Sequence, residues 1–372
     1  MRGVVQFSKQ YGPWEFFQEP EFYLSSRRKR KVTVRDLGAD GIIAHTYDKE
    51  SIEEILSSGT PAVICGIEKT LNNVVNVVAD NAEIGKTGAE YLLRLGFRQF
   101  AYCGLKGFLW SDQRGESFSE AITRAGFESH VWQQYNAKTK YSHQKVQALM
   151  TEWLKSLPKP ITIMACNDDH ARDVIEACKI VGFAIPQEIA ILGVDNDELV
   201  CDLCHCPLSS IAIGVENAGY DAAMALDGMM KGKKMHKQTI VIRPLYVVRR
   251  QSTDILATDD AEVVDAVRFI YQHSNEIISV QEVADAVGSS RRTLERRFDR
   301  VLGHSVYEEI ECCHVAQIAR MLVETDMPVS QIALSLGHRN AANISRYFRR
   351  RKGVTPLLYR KRYRISSRTK SL

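Results

Sequence analysis

No stretch of this sequence approaches the ~20 consecutive apolar residues that a membrane-crossing helix requires. Its start, MRGVVQFSKQYGPW, has neither a long apolar core nor a small-residue cleavage site, so it does not read as a signal peptide. Nine cysteines are scattered unevenly along 372 residues, which is not the dense, even framework of a disulfide-stapled secreted domain. Reduced thiols and a cytoplasmic location are expected, with no membrane partner. Also missing are a nucleophile elbow, a glycine-rich phosphate loop and a zinc-protease helix. Asp168 and Asp169 are adjacent, a poor spacing for an acid–base pair across a glycosidic bond. These absences predict a protein that is not an enzyme and needs no cofactor. Acidic residues are also missing from the basic end of the chain. The last 27 residues, from Arg346, hold 11 Lys or Arg and no Asp or Glu.

The charge is polarised. From Glu262 to the end there are 19 basic and 12 acidic residues, whereas the rest of the chain is slightly acidic. A basic end on a mildly acidic body suits an anionic polymer as partner, although a solvated tail has the same composition. Up to about Arg250, short apolar runs bounded by Gly, Pro, Asn or Asp alternate with amphipathic stretches. DGIIAHTY, PAVICGI, QFAYCGL, ITIMACN and IAILGVD read as strands. Residues 81–95, 142–157, 170–181 and 216–230 read as helices. The alternation predicts a parallel, doubly wound α/β domain, and such sheets bind small molecules beyond the strand C-termini. Polar residues stand there. Asp80 follows VVNVVA, Asn167 and Asp168 follow ITIMAC, and Asp195 and Asn196 follow AILGV. Arg114 lies in the loop-to-helix segment after QFAYCGL. Carboxylates, amides and a guanidinium together suit a polyhydroxylated ligand. Taken singly, each Asp or Asn is as well explained as a helix cap or turn residue.

CDLCHC, Cys201 to Cys206, contains the Cys-x-x-Cys-His spacing of haem attachment, and Cys201, Cys204, His205 and Cys206 together could form a soft-metal cluster. Haem attachment is a feature of exported proteins, so an ordinary loop is expected, with a metal or redox sensor as the rival. Cys312, Cys313 and His314 fall consecutively on a helix, where neighbours point apart and do not share a ligand.

At Gln251–Ala261 the pattern breaks into a polar linker, beyond which everything reads as helix. VQEVADAVG at Val280 and VSQIALSLG at Val329 match at Val, a β-branched residue, Ala and the closing Gly. This is a duplicated helix–turn unit. A basic amphipathic helix follows each, SSRRTLERRF and RNAANISRYFRRR, which makes two helix-turn-helix motifs. With Leu294 and Phe298 inward, Arg291, Arg292, Glu295 and Arg296 remain for DNA. With Ile344 and Phe348 inward, Asn343 and Arg346 remain for bases. Arg349, Arg350, Arg351 and Lys352 are placed for phosphates. The partner expected from these units is double-stranded operator DNA.

VGSSRRTLERRF, SQIALSLGH and GVTPLLYR resemble the two helix-turn-helix units and closing signature of AraC-type transcription factors, over about residues 261–364. His338 and Asn343-Ile344 stand where that family commonly carries aromatic residues. The body, through ILGVDNDE, PLSSIAIGVENAGYDAAMAL and IRPLYVVRRQSTD, resembles LacI-type sugar-binding domains. Joined in this order, they resemble bacterial xylose-operon regulators. The resemblance implies a two-lobed, periplasmic-binding-protein-like α/β domain plus an all-α C-terminal domain with two helix-turn-helix motifs. The domains implied are a sugar-binding domain at 1–250, a linker at 251–261, a DNA-binding domain at 262–364 and a basic tail at 365–372. It further implies a pentose effector, D-xylose foremost, held between two lobes that close on it. A homodimer is implied, and RNA polymerase contact if the protein activates. Arg114, Asn167, Asp168 and Asp195 fall at sugar-contacting positions. Arg292, Glu295, Arg296, Asn343 and Arg346 fall at base-facing ones. The family places a strand before the helix that GVVQFSKQYG resembles, so the natural start is expected upstream of Met1. Against this stand two rivals: a carbohydrate-binding protein without specific DNA readout, and the metal sensor.

Overall fold

A computed structural model describes residues 1–17, 38–46, 49–66, 71, 74–134, 143–233, 238–338 and 341–364. The chain runs α1 (Arg2–Tyr11), β1 (Ile42–His45), α2 (Lys49–Ser58), β2 (Ala62–Cys65), β3 (Val75–Ala79), α3 (Asn81–Arg94), β4 (Phe100–Leu105), α4 (Leu109–Arg124) and β5 (Ser129–Gln134). It continues through α5 (His143–Ser156), β6 (Ile161–Ala165), α6 (Asp168–Val181), β7 (Ile189–Asp195), α7 (Glu198–Leu203), β8 (Ser209–Ile213), α8 (Val215–Met230), β9 (Thr239–Ile242) and β10 (Pro244–Val248). A purely helical region follows: α9 (Ala261–Gln272), α10 (Val280–Ala286), α11 (Arg291–Leu302), α12 (Val306–Glu324), α13 (Val329–Ser335), α14 (Ala341–Lys352) and α15 (Pro356–Tyr363). Arg339 and the tail 365–372 lie outside the described residues.

Two compact units result. The first, within Met1–Asp80 and Gly214–Ile242, holds a parallel sheet in the order β1-β2-β3-β9. Its strands are neighbour-paired throughout, β1 forming one edge of the described sheet. α1 packs Val4 and Phe7 against Ala223 of α8.

The second unit, Asn81–Ile213 with Arg243–Arg364, holds a six-stranded sheet ordered β10-β8-β7-β6-β4-β5. β4 and β6 are apolar on both faces and almost wholly buried, as parallel central strands must be when helices cover both sides. Two features depart from the sequence reading. β10 runs antiparallel to β8, so the sheet is mixed. β5, SHVWQQ, pairs with β4 although it shows no apolar run, because as an edge strand it meets water along one side.

The polar stretch read as linker from Gln251 begins instead with a 3₁₀ turn built into the sheet. Ser252 and Thr253 are fully buried there. Ser252 donates to the Ile191 carbonyl at 2.6 Å and accepts from the Ser209 amide at 2.8 Å, while Thr253 meets Tyr91 at 2.8 Å. The polar composition there reflects hydrogen bonding to strand ends rather than solvation.

In the helical region, Gly288 (φ 67°) and Gly337 (φ 79°) both take the left-handed turn conformation expected of them. Ser279 caps α10 with a full capping box and Ser290 caps α11. Leu294, Phe298, Ile344 and Phe348 are all buried to completion. The second half of this region shares its core with the sheet. Leu245 and Tyr246 of β10 pack with Ile318, Leu322, Phe348 and Tyr359, and the Tyr359 hydroxyl donates to the Leu245 carbonyl at 3.0 Å.

Candidate ligand-binding and DNA-binding sites

Arg114 and Asp195 both lie toward the C-terminal edge of the second unit's sheet, within electrostatic reach of each other. Arg114 lies inside α4 rather than in the loop before it, and is only 5% exposed. α3 and α4 cross so closely here that a Cβ on Gly85 would fall 2.2 Å from the Arg114 carbonyl, so only glycine fits. The guanidinium is fixed by Nε donating to Asn81 Oδ1 at 3.0 Å and Nη1 donating to the Cys166 carbonyl at 2.5 Å. It also lies over the Trp110 ring, 5.0 Å from the centroid. Its charge acts on Asp195. Water reaches Asp195, yet enough protein surrounds the carboxyl that desolvation pushes its pKa up to about 6, against the pull of Arg114.

Asp195 carries a positive φ of 107° and Asn196 one of 52°. Asn tolerates the left-handed region. For Asp195 the conformation is strained, and strain of this kind is held where a site requires it. The turn is braced by the Asn196 amide donating to Ser210 Oγ at 3.0 Å. The Oδ1 of Asn196 and the Nε1 of Trp110 are buried atoms without hydrogen-bond partners.

Asn167 and Asp168 serve the scaffold. Asn167 is the N-cap of α6, accepting from the His170 amide at 3.0 Å. Asp168 is 3% exposed, with both oxygens occupied: Ser210 Oγ donates to Oδ1 at 2.6 Å and the Asp197 amide to Oδ2 at 2.8 Å. The Cys201 thiol approaches Oδ2 at 3.6 Å. A Cβ on Gly193 would fall 2.2 Å from Oδ1, so the glycine makes room for the carboxylate. Both oxygens of Asp168 are thus engaged within the protein. It ties β6–α6 to the β7–α7 turn that carries Asp195, and burial pushes its pKa up to about 7. Asp80 belongs to the first unit, where its amide closes the β3 end by donating to the Ile242 carbonyl at 2.8 Å. Two members of the site escaped the sequence reading, Asn81 and Trp110. Asn81 was visible only as a helix start. The signal for Trp110 was the aromatic pair in GFLW after β4, since aromatic faces pack on sugar rings.

The cysteine run is neither haem site nor loop throughout. Cys201 sits in α7, and Cys201, Cys204 and Cys206 all turn into the hydrophobic core beneath β7, whereas His205 is exposed. Burial raises all three thiols. The thiols and the imidazole thus face opposite ways. Among the described residues no group of three or more His, Cys, Asp or Glu side chains is placed to hold a metal ion. His314 spends its Nε2 on the Glu276 carbonyl.

In the helical region, α11 has two basic faces with different fates. Arg297 and Arg300 turn back to Asp260 at 2.9 and 3.2 Å. Arg291, Arg292 and Arg296 are exposed, with Glu295 half-buried between them. On α14, Asn343, Arg346 and Arg349 are exposed. His338 takes an aromatic position, edge-on to His314 and hydrogen-bonded to Tyr347 at 3.0 Å. Three cations of the closing cluster also have partners inside the protein. Arg350 and Arg351 converge on Glu311, a carboxylate 5% exposed on α12. Lys352 turns its amine to the Leu245 carbonyl at 3.1 Å. A buried anion must be neutralised, so these cations hold the domain together before they meet any DNA.

Residues 89–253 match the periplasmic binding protein-like domain and residues 283–362 match a helix-turn-helix domain. The chain is therefore a DNA-binding transcription regulator, with a periplasmic-binding-protein-like α/β domain followed by a helix-turn-helix domain. Along nearly its whole length it is similar to the xylose operon regulatory proteins. It is 28% identical to that of Escherichia coli (strain K12) over 354 residues, which is 93% of this chain and 89% of the relative. It is also 28% identical to that of Haemophilus influenzae, over 93% and 90%. The solved structure of the xylose-binding transcription activator XylR superposes with a TM-score of 0.59 at 26% identity, covering 98% of this chain and 94% of the other. A ribose-bound LacI-family regulator from Enterococcus faecium shares the fold of the α/β part, with TM-score 0.55 and 21% identity over 69% of this chain and 93% of the other. No helix among the described residues is long and apolar enough to cross a membrane.

Proposed function

We propose that this regulator senses a pentose, D-xylose foremost, and controls genes of sugar catabolism from the cytoplasm, working by binding alone and without a cofactor. The observation that carries the reading is the Arg114–Asp195 pair. It combines a rigidly held guanidinium with a desolvated, accessible carboxylate on a strained turn. A ring with vicinal hydroxyls offers donors to the carboxylate and acceptors to the guanidinium, and Trp110 supplies an apolar face. Asp80 and Asn196 are further proposed contacts. Asn167 and Asp168 are proposed to support the site indirectly. The similarity to xylose operon regulators favours the five-carbon ligand.

A sugar alters DNA binding only by preferring one conformational state. A ~100-fold preference shifts the equilibrium by about 2.7 kcal/mol. The proposed output is operator DNA, read by Arg291, Arg292, Glu295 and Arg296 on α11 and by Asn343 and Arg346 on α14. Phosphate contacts come from Arg349 and the exposed part of Arg350. The proposed domain limits place the reader at 262–364. A homodimer and, for an activating regulator, contact with RNA polymerase complete the proposal. Calorimetry against a panel of pentoses and hexoses tests it, together with gel shifts across salt with and without the tightest ligand. Failure of every sugar to bind would overturn the effector assignment. A steep salt dependence without sequence preference would reduce the DNA assignment to nonspecific binding.

A further inference from the structure

The second unit contains a cavity of about 990 Å³ where the β10 edge faces α9, α12 and α14, lined also by α3. This lies at the upper end of the range for small-molecule sites, roughly 300–1,000 Å³. Its walls carry two arginines with buried, unpartnered nitrogens. Arg249 stacks on Tyr271 with its guanidinium 4.1 Å from the ring centroid, and Nη2 donates to Asp254 at 2.7 Å. Its Nε and Nη1 are buried without any hydrogen-bond partner. Arg94 has its Nη1 in the same condition, 3.7 Å from Glu309, too far for a hydrogen bond.

The other cations of the lining are engaged. Arg320 pairs with Glu324 at 2.9 Å, Arg351 with Glu311 at 2.6 Å, and Lys352 is held by the Leu245 carbonyl. Glu309 is committed as well, to His304 at 2.8 Å. Protein interiors satisfy roughly nine in ten buried polar groups, and an unmet donor on a charged group is among the costlier exceptions. Three such nitrogens on one cavity ask for an acceptor from outside the chain.

We infer that this cavity is a second effector site, for a small phosphorylated metabolite, separate from the pentose site. A carboxylate is satisfied by one guanidinium fork, whereas the three terminal oxygens of a phosphoryl group match donors supplied by two arginines. The Tyr91 and Tyr271 rings leave an apolar flank for the rest of the molecule. Because the walls come both from the effector domain and from the reader helices, occupancy would bias how the reader is held, a coupling of two sites through one joint.

The test uses the full chain and calorimetry with ribose 5-phosphate, with inorganic phosphate as competitor. One ribose 5-phosphate should bind per chain, and inorganic phosphate should displace it. Arg249→Gln and Arg94→Gln should each weaken it by about tenfold or more, with binding of D-xylose unchanged. Asp195→Asn should leave ribose 5-phosphate binding intact, so failure of the pentose assignment does not touch this one. Absence of binding to the wild-type chain overturns the proposal. So does binding that survives both arginine variants, or that disappears in Asp195→Asn. If Arg249→Gln loses its cooperative unfolding transition, the Arg94→Gln result alone decides.

Discussion

Asp195 ends β7 and Asp168 opens α6 just after the neighbouring strand β6, and their surroundings differ. Asp195→Asn removes a charge-assisted acceptor worth ~1.5–3 kcal/mol, so pentose affinity should fall about 10- to 100-fold by calorimetry. Burial pushes its carboxyl up to about 6, and on the proposed function it is the ionised form that accepts the sugar hydroxyls. The dissociation constant should therefore rise about tenfold per pH unit below that value. The linkage with folding has the opposite sense. A carboxyl raised above its unfolded value contributes stability at low pH that is lost as pH rises through the folded pKa, about 6 for Asp195 and about 7 for Asp168. Asp168→Ala strands the Ser210 hydroxyl and the Asp197 amide. It should cost about 2–4 kcal/mol in urea unfolding, and act on sugar affinity only through the β7–α7 turn. The sequence placed both aspartates correctly after strands. It did not show that Asp168 is held inside the protein, because that depends on Ser210 and Gly193, which the chain brings to it from other strands.

At the level of elements, the repeated helix–turn units were legible because their signals are local: a periodic apolar face, a serine cap, a glycine in the turn. The partners of their charges were not. Glu311 precedes Arg350 by 39 residues, and no pattern within α14 reveals that two of its arginines close on a carboxylate of α12. Arg296→Ala should relax base preference at one operator position at a cost of ~1–3 kcal/mol, measured by gel shift on substituted operators. Arg349→Ala should instead weaken all sequences alike and lower the salt slope by about 1. Glu311→Gln should lower thermal stability by about 1–3 kcal/mol by leaving Arg350 and Arg351 without their anion.

For the whole molecule, the alternating α/β pattern and the helical end were both readable. The place where they join was not. The polar run at Gln251 reads as a linker, yet Ser252 and Thr253 are buried against the sheet, and β10 shares a core with α12, α14 and α15. Apolar residues of β10 already suffice to explain a strand, so nothing local announces that Leu245 also faces the reader. Leu245→Ala should cost about 2–5 kcal/mol and reduce operator affinity as well, read by unfolding and gel shift on the same preparation.

Between the two reading helices runs α12, 19 residues of unbroken helix and so about 28 Å of stiff rod. That is shorter than the ~34 Å between successive major-groove faces, and on the proposed reading a duplex bent toward the protein would bring both faces within reach. A rod of fixed length is a ruler. Adding about five base pairs between the halves of an operator would turn the second half to the far side of the double helix, out of phase, and gel-shift affinity should fall sharply.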